Sequence, residues 1–323
     1  MKEKLVSKGY FNYMTSKSFS SLYRNGKVLT KRDLNGSDAG SVGIDLKKYE
    51  QVVIDAREIM SEKLLNLDDN GFQLIESNLN NFHIDFFNND QVIDKYYSYC
   101  SDEIKDFTGA KHVFAFDHNI RSASGKRTKK MIMGGQQVQG PAHIVHGDYT
   151  LTSAPDRLKQ LTRPPGKNDT LSKLLKSNSL LPEELVDETL STGRFAIINL
   201  WRNIISDPVE VNPLALCDAE TVSVEDLVVF EIHYSDRIGE NYFAKYNDKH
   251  KWYYYPKMNK NEALLIKQWD SSGGLAKSFG DSSDLQSHSD TCTFSFHSAF
   301  KDPFTREDAP DRCSMEVRCI VIY

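Results

Sequence analysis

The chain has 323 residues, 39% hydrophobic and 26% charged, a globular composition that can bury a sizeable core in one large β-rich domain, expected here, or in two ordinary ones. A formal charge of -5 offers no basic footprint for nucleic acid or an anionic membrane, which leaves a small molecule as the expected partner. Five cysteines without CxxC spacing argue against a disulfide framework or a structural zinc and fit reduced thiols in a cytoplasmic protein.

The N-terminal MKEKLVSKGYFNYMTSK has no apolar h-region, and nowhere do eighteen apolar residues run together, so neither secretion nor membrane spanning is expected. Residues 9–43 are rich in Ser, Asn, Gly and Lys with islands at Tyr10, Phe11 and Tyr13, which predicts an extended arm or lid. In 45–66, Tyr49, Val52, Val53, Ala56, Ile59, Met60 and Leu64 fall near a 3.6-residue period and predict a helix. A second amphipathic stretch, 92–107, carries Ile93, Tyr96, Tyr97, Cys100 and Ile104 on one stripe.

From Lys111 the pattern changes to short β-type runs: 112–117, 143–150, 194–205, 227–234, 251–255, 263–269, 293–296 and 315–323. Helical punctuation falls only at 156–161 and 170–189. The predicted fold class is therefore mainly β with helices (α+β), a double-stranded β-helix of jelly-roll or cupin type buttressed by N-terminal helices. It divides into an arm and helical buttress over 1–110 and a jelly-roll core over 111–323, all one domain.

Three His-x-Asp triplets occur: His83/Asp85, His146/Asp148 and His288/Asp290. On a strand, positions i and i+2 point to the same side, and a metal site needs a further histidine from a later strand. His288/Asp290 sits in a Ser/Asp-rich loop with only His297 after it, and His83/Asp85 lies in a loop-like NNFHIDFFNND before the β-rich region. His146/Asp148 ends an apolar AHIV run and has the barrel between itself and His297. Two imidazoles and one carboxylate with open positions match a facial triad for Fe(II), with catalytic zinc as an alternative. The bland alternative is a pair of buried histidines hydrogen-bonded to backbone.

On the last strand Arg312, Ser314, Glu316 and Arg318 share one face. A guanidinium beside a hydroxyl suits the far carboxylate of a keto acid, which points to 2-oxoglutarate and assigns Arg312 with Ser314 to it. Arg318 competes for the same carboxylate, although pairing with Glu316 in a structural salt bridge is the expectation for it.

The strings NLWRNI (199–204), PLALCDAETV (213–222), HKWYYYPKM (250–258), EALLIKQWDS (262–271), FHSAFKDP (296–303) and APDRCSMEVR (309–318) resemble, in the same order, the AsaB-type hydroxylase/desaturase family, which includes relatives of the cephalosporin methoxylase chain. The resemblance spans residues 72–323 and implies an Fe(II)- and 2-oxoglutarate-dependent oxygenase of secondary metabolism on a jelly-roll core. The family's metal pattern falls on His146, Asp148 and His297, and its RES-type motif on 312–314. Asn203 stands where the family usually has proline, and Cys313 where it has glutamate. Neither touches an expected ligand.

The expected reaction couples decarboxylation of 2-oxoglutarate, with O2, to hydrogen abstraction from a small-molecule substrate, amino-acid-derived compounds included. No residue selects among hydroxylation, desaturation and oxidative ring closure of the kainoid type. Candidate substrate contacts are Arg121, Tyr149, Asn199, Trp201 and Arg202, although alternation puts Arg202 on the opposite face from Asn199 and Trp201. Three alternatives remain: a metal-dependent cupin-type isomerase or hydrolase, which leaves Arg312 and Ser314 without a task; a 2-oxoglutarate-independent oxidase; and a noncatalytic binding protein.

Overall fold

Where aromatic and β-branched residues alternate with polar ones, the backbone is strand, even where the sequence also allows another period. The computed structural model describes residues 6–32, 38–60, 64–79, 82–166, 169–234, 237–286 and 291–323. Among these, the strands are β1 (Val6–Met14), β2 (Leu29–Arg32), β3 (Asp38–Val42), β4 (Leu46–Asp55), β5 (Phe72–Glu76), β6 (His112–Arg121), β7 (His146–Gly147) and β8 (Phe195–Asn203). They continue with β9 (Leu214–Cys217), β10 (Leu227–His233), β11 (Ile238–Ala244), β12 (Trp252–Tyr254), β13 (Glu262–Asp270), β14 (His297–Ala299) and β15 (Ser314–Ile322). They form a ten-stranded sheet, β1-β4-β12-β9-β14-β7-β11-β10-β2-β3, and a five-stranded one, β5-β13-β8-β15-β6. The class is α+β with two large sheets.

Two expectations fail in the N-terminal third. The described residues of 9–43 carry strands rather than an arm, with 33–37 outside them: β1 buries Phe11, Tyr13 and Met14 completely while Tyr10 faces solvent, which makes it a core strand. The helix expected over 45–66 is instead β4, followed by one helical turn, Ala56–Ile59; residues 61–63 lie outside the described residues. Tyr49, Val52, Val53 and Ile54 favour a pleated surface, and β4 pairs with β1 along its length and with β12 in parallel. That tertiary pairing outweighs a helical period that the same residues also satisfy.

The second helix forms as a π turn, Val92–Tyr96, running into Tyr97–Thr108. The Asn88 side chain accepts from the first backbone amides, and Gly109, at φ 67°, ends the helix in the left-handed region that favours glycine. Its buried Tyr97, Cys100 and Ile104 pack on β6 and β15. The stretch 170–189 breaks into Ser172–Leu175 and Glu183–Thr192, with Pro182 at the second N-cap.

The strands expected at 112–117, 194–205, 227–234, 251–255, 263–269 and 315–323 are present within one to four residues at each end as β6, β8, β10, β12, β13 and β15. That at 143–150 shrinks to β7, and that at 293–296 gives way to β14, starting at His297. There Thr293 N donates to the Asp284 carboxylate at 2.7 Å, and so is withdrawn from ladder pairing.

One face of the five-stranded sheet lies under the Tyr97–Thr108 helix. The other looks onto the ten-stranded sheet: Asn199 of β8 and Arg318 of β15, register partners, both reach Asp148 just beyond β7. All five cysteines are buried and free. No helix among the described residues is long and apolar enough to cross a membrane.

Candidate metal centre

The two histidines come from neighbouring strands rather than from across a barrel. β7 and β14 pair antiparallel with His146 directly opposite His297, so both imidazoles leave the same face, and their centroids lie 4.3 Å apart. Asp148, two residues beyond His146, points the same way. Its Oδ1 is 3.6 Å from His146 Nε2 and 3.9 Å from His297 Nε2, and one ligand atom from each of the three lies within 4.8 Å of the others. Gly147 between them is a steric necessity: a Cβ there would meet the Phe294 ring at 2.9 Å.

Hydrogen bonds orient the donors. His146 Nδ1 lies 2.8 Å from the Ile144 carbonyl, which fixes the proton on Nδ1 and leaves Nε2 as a lone-pair donor. Asp148 Oδ2 accepts from Asn199 Nδ2 at 3.2 Å and faces Arg318 Nε at 3.4 Å, while its backbone N–H donates to Gln268 Oε1 at 3.3 Å. With Oδ2 so engaged, Oδ1 is left for the imidazole side. Among the described residues, Nδ1 of His297 is buried without a partner.

Charge follows the same plan. Burial, then the neighbouring His297, pushes the His146 imidazole down to about 4, against Asp148 and the Ile144 carbonyl, so it is neutral at neutral pH, as a metal ligand must be. Burial alone would push the Asp148 carboxyl up, but Arg318, both imidazoles and Arg121 hold it well below the usual carboxylate range. Arg318 in turn binds Asp117 at 3.0 Å and Glu316 at 2.9 Å. Two imidazoles and one ionised carboxylate are a donor set that fits Fe(II).

Arg312 and Ser314 are both buried. The Arg312 guanidinium lies over Trp201, 5.7 Å from its centroid, with one N–H on the Asn212 carbonyl; its Nε and the Ser314 hydroxyl have no partner among the described residues. Burial, with Arg121 nearby, pushes Arg312 down to about 10. A buried, under-used cation and a buried hydroxyl two residues on, unpartnered among the described residues, are groups suited to a carboxylate.

The expected substrate contacts separate. Tyr149 lines a cavity of about 340 Å³ that opens beside Asp148 and Arg318. Asn199 is engaged by Asp148, Trp201 lies beneath Arg312, and Arg121 donates to the Gly140 carbonyl and faces Glu316 at 3.6 Å. Arg202 points to the helix side of its sheet, where it donates to the Ser77 and Lys260 carbonyls and lies over Tyr96 and Tyr99; as a pocket contact it is corrected by strand alternation. Sequence reasoning missed Arg318 and Gln268 as partners of Asp148. The shared strand face of Arg318 with Arg312 was the available signal for the first.

Of the other His-x-Asp pairs, His83 and Asp85 are exposed, and the Asp85 carboxylate accepts from Phe87 N in a turn. His288/Asp290 lies outside the described residues. Among the described residues, His146, Asp148 and His297 are the one group of three able to hold a metal ion.

A family model described as "Oxidoreductase/YMDC permease-like domain" matches residues 11–322. An uncharacterized protein in the dcmA 3' region of Methylophilus leisingeri is 43% identical over 195 residues, 60% of this chain and 88% of that protein. The hydroxylase/desaturase efuI of Hormonema carpetanum is 28% identical over 302 residues, 88% of each chain. The alpha-ketoglutarate-dependent dioxygenase tstK of Talaromyces stipitatus is 29% identical over 265 residues, 80% of each. Among solved structures, the iron and alpha-ketoglutarate-dependent endoperoxidase NvfI superposes with a TM-score of 0.69 at 21% identity, covering 99% of this chain and 98% of that one. The resemblance drawn from the sequence strings to hydroxylase/desaturases holds.

Proposed function

We infer the function from one premise: the chain belongs to the oxidoreductase family whose model spans it almost end to end. It is an Fe(II)- and 2-oxoglutarate-dependent dioxygenase acting on a small molecule, and relatives are named for that dioxygenase chemistry. The observation that carries this reading is the meeting of His146, Asp148 and His297 on one sheet face, ligand atoms within 4.8 Å. We read the two opposed sheets as a double-stranded β-helix and the whole chain, 1–323, as one oxygenase domain. Five buried free thiols support a cytoplasmic setting.

Bound Fe(II) would activate O2, the oxidant, so that 2-oxoglutarate is converted to succinate and carbon dioxide and a substrate C–H bond is oxidised. The chain's own residues hold and aim. His146 offers Nε2 because its Nδ1 proton is committed to the Ile144 carbonyl. Asp148 offers Oδ1 because Asn199 and Arg318 occupy Oδ2, and Arg318 keeps it ionised. Arg312 Nε and the Ser314 hydroxyl, both without partners among the described residues, are assigned to the far carboxylate of 2-oxoglutarate. The engagement of Arg318 with Asp117, Glu316 and Asp148 supports Arg312 over Arg318 for that task. The cavity beside Asp148 and Tyr149 is assigned to the substrate.

The test is anaerobic addition of Fe(II) and 2-oxoglutarate, followed by visible absorbance and, after air, by succinate. A weak metal-to-ligand band in the green and slow succinate release are expected. Absence of both removes 2-oxoglutarate from the reaction.

A further inference from the structure

The cavity beside Asp148 is walled largely by charged and amide side chains, Asn119, Gln136, Gln139 and Asn241 among them, and is of the size that takes a small ligand. Its four guanidiniums are not equivalent. Arg24 pairs with Glu240 at 2.9 Å, Arg318 lies among three carboxylates, and Arg237 lies over Tyr234 at 4.7 Å. Arg157, on the Ser153–Gln160 helix, lies 4.8 Å over the Phe116 ring and has one long hydrogen bond, 3.5 Å, to the Gln160 amide oxygen. No carboxylate among the described residues pairs with it. Phe116 precedes Asp117, the partner of Arg318, whose Nε faces Asp148; this short row of contacts ties Arg157 to the metal-facing carboxylate.

We propose that Arg157 anchors a carboxylate of the substrate, which makes the substrate a small polar carboxylic acid, with amino-acid derivatives as the class. This rests on the oxygenase reading of the site and extends it. A guanidinium steadied on an aromatic face with most of its donors unused is arranged to grip a carboxylate bidentately. The wall amides then serve amide or hydroxyl groups on the rest of the molecule. An apolar polycycle would strip water from these groups and give nothing back.

The test uses the full chain loaded with Mn(II) and 2-oxoglutarate and titrated calorimetrically with N-acetyl-L-leucine, N-acetyl-L-phenylalanine and N-acetyl-L-arginine, each beside its methyl ester. At least one acid is expected to bind about tenfold or more tighter than its ester, the scale of one charged hydrogen-bonded pair. In Arg157→Gln that preference should vanish with 2-oxoglutarate affinity unchanged, and Arg157→Lys should restore part of it. Esters binding as well as acids, an acid preference surviving Arg157→Gln, or no acid binding while 2-oxoglutarate binds each overturns the proposal. Failure to bind 2-oxoglutarate at all would instead remove the oxygenase reading. The same titrations without metal and 2-oxoglutarate then judge Arg157 by itself.

Discussion

Replacing Arg312 by Met tests the keto-acid cradle most directly. The guanidinium is buried, spends one N–H on the Asn212 carbonyl and lies over Trp201, while Nε has no partner among the described residues. If that unused part of the fork receives a carboxylate, its removal leaves a buried anion unpaired, at about 2 to 4 kcal/mol, or roughly thirty- to a thousand-fold in affinity for 2-oxoglutarate. The metal-free fold should respond differently. An under-compensated buried cation is exchanged for an apolar chain that can still pack on Trp201, at the loss of one hydrogen bond, so stability should change by less than about 1.5 kcal/mol. The assay is an anaerobic titration of the Fe(II)-loaded variant with 2-oxoglutarate, followed by absorbance, with urea denaturation of the metal-free protein alongside. An affinity within about threefold of the parent chain would refute the assignment, since one charged hydrogen bond is worth more than that. Loss of 2-oxoglutarate binding in Arg318→Gln with metal still held, and not in Arg312→Met, would pass the role to Arg318.

Arg318→Gln should free Asp148 Oδ2 and lower Fe(II) affinity by about ten- to a hundred-fold, as loss of a ligand's outer partner does; metal competition with a chelator measures it. Gly147→Ala drives a Cβ to 2.9 Å from the Phe294 ring, and the backbone between the two donors must shift. It should destabilise the protein by about 1 to 3 kcal/mol and weaken metal binding, both read by thermal melts with and without Mn(II). For pH, the folded His146 value of about 4 lies below the ordinary 6.5, so the unfolded chain takes the proton first. Metal-free stability is then full above pH 6.5 and falls as the pH drops toward 4, by about 3 kcal/mol from this residue. Denaturation at pH 7.5 and 5 should show about 2 kcal/mol of that loss, and His146→Leu should reduce it; an equal loss in both proteins refutes the attribution. Asp148, held low in the fold, adds its own loss only below the usual carboxylate range.

The sequence by itself determined the parts of this protein whose signal is local. Largely apolar runs fix β8, β13 and β15, which are buried almost throughout, and the alternation of side chains along β15 places Ser314, Glu316 and Arg318 on one face and predicts the Arg318–Glu316 pair, seen at 2.9 Å. The His146-Gly147-Asp148 triplet is legible as a ligand pair because i and i+2 share a side. β1 was legible too, since Phe11 and Tyr13 alternate with Tyr10, but polar composition pointed to an arm. Only the tertiary structure decided what depends on which strand lies beside which. β4 is a strand because β1 and β12 take up its backbone hydrogen bonds, a partnership that no window of residues 45–66 contains. Likewise His297 meets His146 through the β7–β14 register, and Arg318 binds Asp148 rather than Glu316 alone because the second sheet faces the first. Hydrophobic period sets which side of a strand a residue occupies; pairing between distant strands sets what it finds there.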